Sequence, residues 1–221
     1  MVATDSEPPG GIGPDLTRKG NAPAPNGSGF VMNTWLATTV AAGTIMALAV
    51  VVILLPETVA DRLMYQRLAV LEGQWWRLLT AHWVHLDRAH LLINMAGFAA
   101  VLLVLGRFLS LSSLLLATVL GGLAVSLGLL ILSPQIPWYV GLSGLVSGIW
   151  AAAAARGMLW RNWLGFAAVA LLVAKLVWEQ MEGAPASLTA ELGDAVIVDA
   201  HLYGMFGGLL AGLLTGFRRA G

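Results

Sequence analysis

An all-α membrane protein, a bundle of six transmembrane helices, is the architecture this 221-residue sequence predicts. Three observations carry that prediction. Hydrophobic residues make up 58% of the chain and charged residues only 11%, well outside the balance of a soluble globular domain. No charged residue occurs between positions 108 and 155. Apolar stretches approaching the ~20 residues needed to cross a bilayer recur along the chain. They fall at 35–55, 89–106, 108–132, 142–155, 162–178 and 196–217, the fourth being unusually short.

Ahead of the first stretch, "MVATDSEPPGGIGPDLTRKGNAPAPNGSGF" is dense in Pro and Gly and poor in large aliphatic residues. Such a segment buries too little surface to offset chain entropy, so residues 1–33 are expected to form a disordered cytoplasmic tail and 34–219 one membrane domain. The first apolar stretch is long enough to span and lacks the short apolar core of a cleavable signal, so it is read as a retained helix. Arg18, Lys19, Arg107, Arg156, Arg161, Arg218 and Arg219 then lie on the cytoplasmic side, and the loop before the sixth stretch is purely acidic. By the positive-inside rule, both termini are expected in the cytoplasm.

Between the first two stretches, "EGQWWRLLTAHWVHLDRAH" mixes aromatic, basic and leucine residues, as suits a structured element lying in the headgroup layer. A net charge of zero and the lack of a long basic run argue against a nucleic-acid partner. Because the chain has no cysteine, disulfides, thiolate metal sites and a cysteine nucleophile are excluded. His82, His85 and His90 are close in sequence, but no HExxH string occurs and no carboxylate shares the helical face of His201. Neither a metal nor a cofactor is expected.

Candidate chemistry begins at "GLSG", residues 141–144, after the helix-breaking "SPQIP". Ser143 is placed at the start of the short fourth helix, where exposed backbone amides and the positive end of the helix dipole stabilise a nearby anion. Taken alone, the string reads more simply as helix packing, with Gly144, Gly148 and Ala152 forming a small-residue stripe. The sixth stretch alters that weighting. Gly204, Gly208, Gly212 and Gly216 repeat at spacing four, and His201 precedes Gly204 on the same face. Close packing of the two glycine faces would bring Ser143 to His201, a nucleophile to its general base. A histidine hydrogen-bonded within the bundle is the bland reading of His201, although a histidine within a membrane helix is by default a functional hypothesis. Asp199 points elsewhere from its spacing, so a dyad is expected rather than a triad. His90 and Asn94 share a face of the second helix and, with the backbone amide of Ser143 and the adjacent Gly141 and Leu142, could hold an oxyanion. Interhelical hydrogen bonding is an equally good reading of that pair. Lys175 is expected to pair with Glu179, its i+4 neighbour, outside the active site.

Four strings now stand in order: "WRLLTAHWVH", "HLLIN", "GLSG" and "AHLYG". Jointly they resemble the rhomboid intramembrane serine proteases over roughly residues 75–217. The resemblance implies a six-helix rhomboid-like bundle with Ser143 as nucleophile, His201 as base, His90 and Asn94 as oxyanion side chains, and a membrane-anchored protein as substrate. "KLVWEQ" and "DAHLYG" look most like the rhombosortase branch, which is associated with removing a C-terminal Gly-Gly-type anchoring tail from exported bacterial proteins. That implies a bacterial inner-membrane location, with the site opening to the periplasm. One departure matters: where rhomboids often carry a ring that packs on the catalytic histidine, this chain has Ser147. What orients His201 is then not visible in the sequence. Two other classes remain open, a catalytically silent client-binding relative and a small transporter using the intramembrane histidines.

Overall fold

The computed structural model describes residues 27–184 and 196–216. Among them, helices dominate: α1 (Gly27–Ile53), α2 (Glu57–Leu63), α3 (Arg67–Leu71), α4 (Arg77–Thr80), α5 (Arg88–Leu105), α6 (Leu111–Ile131), α7 (Ser143–Leu159), α8 (Trp163–Glu182) and α9 (Val198–Gly216). Residues 1–26 of the expected tail lie outside the described residues, and α1 begins at Gly27, earlier than the boundary at 34.

Among the described residues, four segments are long and apolar enough to cross a membrane: Trp35–Ile53, Arg88–Phe108, Leu111–Ile131 and Trp163–Glu182. Their outward faces carry large hydrophobic side chains, among them Leu103, Ile131, Trp163 and Met181, as a bilayer rather than water requires. The remaining two of the six expected spans, α7 and α9, do not meet the same criterion. α7 has only 17 residues and α9 is rich in glycine; α7 and the glycine face of α9 lie inside the bundle, where close approach matters more than apolar bulk, while Phe206, Leu210 and Leu214 of α9 face outward. In α7, nearly every residue from Gly144 to Gly157 is buried.

Helix ends differ from the sequence expectation in two informative places. The fourth stretch was expected to end at 155, yet α7 continues to Leu159 and carries Arg156 with it. Arg156 is buried, and its guanidinium donates to the carbonyls of Phe108 and Thr215. Those acceptors replace the water that a charged side chain would otherwise need. The fifth stretch was expected to end at 178, but α8 runs one more turn to Glu182. Lys175 and Glu179 form the predicted pair at 2.7 Å, which lets a charged turn continue inside the bundle.

α7 and α9 pack through their glycines. A Cβ on Gly204 or Gly208 would run into the carbonyls of Gly144 and Gly148 respectively. One on Gly212 would come within 2.6 Å of the Ala152 carbonyl, and one on Gly144 within 2.8 Å of the Ala200 carbonyl. The small-residue faces read from the sequence are therefore the faces in contact.

The segment between α1 and α5 is structured, as its composition predicts. Two short strands, β1 (Tyr65–Gln66) and β2 (Trp138–Tyr139), pair antiparallel and tie this segment to the chain just before α7. Arg77 is buried and donates to Gln74 Oε1 at 2.8 Å and to the carbonyls of Asp61 and Met64 at 2.6 Å. The Trp83 indole donates to the Ile45 carbonyl of α1 at 3.1 Å. These bonds fix the loop over the end of the bundle that holds Ser143.

Candidate active site

Ser143 is the first residue of α7. Its N-cap, Leu142, is fully buried and provides no side-chain cap. First-turn amides have no acceptor within their own helix, so an anion near Ser143 would meet backbone donors and the positive end of the dipole. Tyr139 reaches the same turn, its hydroxyl donating to the Gly141 carbonyl at 2.8 Å. Burial pushes the Tyr139 hydroxyl up, opposed in part by hydrogen bonds with the Gly144 amide and the Ser143 side chain.

Gly141, expected to offer an oxyanion amide, has its N–H engaged by the Ala81 carbonyl at 3.2 Å, so that donor is not free. Its value is steric and conformational. The backbone adopts φ +115°, which favours glycine, and a Cβ there would lie 2.7 Å from the His90 ring.

His201 lies on α9 one residue after Ala200, whose carbonyl faces Gly144 of α7. The close contact of the two helices thus occurs at the immediate neighbours of Ser143 and His201. Both residues line a single cavity of about 440 Å³ between α5, α7, α8 and α9.

His90 and Asn94 line that cavity as well. Asp87 caps α5 by accepting from the His90 amide at 2.8 Å, which sets the start of the helix and the direction of both side chains. His90 Nδ1 and Asn94 Nδ2 are buried without a hydrogen-bond partner among the described residues. Unpaired buried polar atoms are costly, and these two sit on neighbouring turns of α5 beside the cavity. The His85 ring packs edge-on to His90, with centroids 5.0 Å apart.

His82 is fully buried behind this site. Its Nε2 donates to the Gly122 carbonyl at 3.0 Å, and its Nδ1 has no hydrogen-bond partner among the described residues. Burial pushes His82 and His85 down to about 4, so both are neutral at pH 7.

One participant was missed by the sequence reading. Glu179 of α8 is 3% exposed, and its Oε2 lies 2.9 Å from His201 Nδ1. Lys175 Nζ contacts both Glu179 oxygens at 2.7 Å and comes within 3.4 Å of the same ring nitrogen. The expectation that Lys175 and its pair lie outside the site is corrected here, since both residues line the same cavity as Ser143 and His201. A carboxylate reaches His201 from a different helix, which spacing along α9 could not reveal. Asp199, as expected, turns away, accepting from the Ser133 hydroxyl at 2.6 Å. Ser147, one turn after Ser143, lines the cavity without a ring. Among the described residues, no cluster of three or more metal-binding side chains occurs.

Fold and site together describe a helical membrane protein with a serine at a helix start and three polar side chains, His201, His90 and Asn94, around one cavity. A family model of the rhomboid domain matches residues 72–218, and the chain belongs to the rhomboid family. It is also similar to "Putative rhomboid protease YdcA" of Bacillus subtilis (strain 168), 26% identical over 147 residues, covering 66% of this chain and 70% of that protein.

Proposed function

We propose that this protein is an intramembrane serine endopeptidase that cleaves membrane-anchored proteins near the outer face of the bilayer. The observation that carries this reading is the cavity in which Ser143, at the uncapped start of α7, shares walls with His201, His90 and Asn94. Serine hydroxyls are weak nucleophiles, and an adjacent imidazole supplies the base they need.

In this reaction Ser143 Oγ attacks the scissile carbonyl carbon while its proton passes to His201. Negative charge collects on the former carbonyl oxygen, where His90, Asn94 and first-turn amides of α7 donate to it. One such donor lowers the barrier by on the order of 3 kcal/mol. The C–N bond then breaks as His201 returns the proton to the leaving amine, giving an acyl ester on Ser143. Water attacks that ester, again losing a proton to His201, and the carboxylate product leaves as the proton returns to Ser143.

Ala100 and Val104 of α5 face Leu164 and Leu171 of α8 across the cavity, and a substrate segment enters between these apolar walls. A bilayer helix hides its peptide bonds in its own ladder, so substrates with helix-breaking glycine at the cleavage point are preferred. α7 and α9 complete six membrane crossings, with both termini cytoplasmic and the cavity open to the periplasm of a bacterial inner membrane. The rhombosortase-like strings "KLVWEQ" and "DAHLYG" support a narrower substrate, an exported protein with a C-terminal Gly-Gly-type anchoring tail.

Labelling by a fluorophosphonate probe in membranes tests the reading. Wild type is expected to label, and Ser143→Ala and His201→Ala are not, with all three equally helical by circular dichroism. Equal labelling of the three, or none of folded wild type, would overturn it.

A further inference from the structure

We propose that Glu179 is a positioning residue for His201, held in place by Lys175, so that Ser143, His201 and Glu179 work as a serine–histidine–carboxylate set assembled from three helices. The proposal rests on the protease reading above and deepens it.

Geometry carries the argument. Glu179 Oε2 is 2.9 Å from His201 Nδ1, in a region where the two side chains are 4% and 7% exposed. A carboxylate can only accept there, so Nδ1 carries the proton and the Nε2 lone pair is left to take a proton from Ser143. A buried carboxylate without a cation would be costly, and Lys175 supplies one, bonding both oxygens at 2.7 Å. Two bonds from one ammonium fix the carboxylate plane, and the carboxylate fixes the ring. This is the orienting contact that Ser147 cannot provide, since it carries no ring to pack on the histidine.

Charge at the site is balanced from opposite directions. When His201 accepts the proton of Ser143, Glu179 stabilises the imidazolium, while the Lys175 ammonium, 3.4 Å from Nδ1, opposes it. Among the described residues, the other titratable side chains that line the cavity are His90 and Tyr139. Asp199, on the same helix as His201, accepts from Ser133, and Tyr203 shares that hydroxyl. Removing Glu179 or Lys175 therefore perturbs the base in opposite senses.

The test is the pH dependence of turnover of a reporter bearing a Gly-Gly-type tail and one membrane helix, for wild type, Glu179→Gln and Lys175→Met. Glu179→Gln is expected to lower kcat by about 10²- to 10⁴-fold with KM little changed, and to move the acidic limb of the residual activity to lower pH. Lys175→Met is expected to move that limb to higher pH. A helix-bracing role alone would lower activity or stability without opposite displacements.

Wild-type kcat and an unmoved limb in Glu179→Gln would overturn the proposal while leaving the protease reading intact. Absence of Ser143-dependent turnover in wild type would overturn both. Histidine-selective ¹⁵N NMR of the wild-type protein gives a readout independent of turnover and of variant folding. With four histidines in the chain, the His201 signals are identified by their loss in His201→Ala. A neutral ring protonated at Nδ1 supports the proposal, and one protonated at Nε2 overturns it.

Discussion

At the residue scale, the cavity brings together groups with opposite needs. His90 Nδ1 and Asn94 Nδ2 are buried without hydrogen-bond partners among the described residues, and in the proposed reaction the two side chains donate to the oxyanion. Replacing either by alanine is expected to reduce kcat by about 10²- to 10³-fold with a much smaller change in KM, because the bond is made chiefly in the transition state. Steady-state cleavage of a reporter measures both parameters, and an equal loss in ground-state binding would count against the assignment. His82 has a different task. Its ring is held neutral by burial, with its pKa pushed down to about 4 from an ordinary value of 6.5. Between those values the unfolded chain binds the proton that the folded chain refuses, so the stabilisation is present above about 6.5 and declines as pH falls toward 4. Thermal unfolding in detergent across that range should show the decline, with a shallower slope for His82→Gln.

At the element scale, α7 and α9 meet backbone to backbone, and the site depends on that approach. Gly208→Ala would drive a Cβ into the Gly148 carbonyl, a backbone atom that cannot move away cheaply. The expected cost is about 1–3 kcal/mol, read as a lower unfolding temperature and weaker probe labelling at Ser143. Gly43 of α1 has nothing within 4 Å of a built Cβ, so Gly43→Ala should leave both measurements unchanged or raise stability slightly, as expected for a helix interior. Equal effects of the two substitutions would contradict the packing argument. α8 shows the limit of reading one helix at a time. Its i, i+4 spacing revealed the Lys175–Glu179 pair, but a hydropathy boundary at 178 left Glu179 in an acidic loop. Only the approach of α9 to α8 gives that carboxylate a second partner.

Across the whole molecule, the proposed topology makes a direct prediction. The chain has no native cysteine, so single cysteines can be introduced without background. Replacements at Arg107 and Arg161 should react with an impermeant maleimide only after the cells are opened. Those at Glu72 and Gly183 should react once the outer membrane alone is permeabilised. The reverse pattern would invert the protein in the membrane, and labelling of all four from one side would remove the six-span arrangement.

Much of this protein was determined by its sequence alone, because the signals involved are local. Apolar length marks the spans, spacing four along 204–216 marks a smooth helix face, and the "GLSG" and "AHLYG" strings bring the resemblance to a family that the rhomboid-domain match then establishes. The tertiary structure decided what depends on meetings between segments distant in the chain. Arg156 is buried rather than facing water because the carbonyls of Phe108 and Thr215 come to it. Gly141 loses its free amide to Ala81, and His201 gains Glu179. Hydrogen-bond partners are chosen by proximity in space, and no periodicity within one helix encodes what a neighbouring helix will bring.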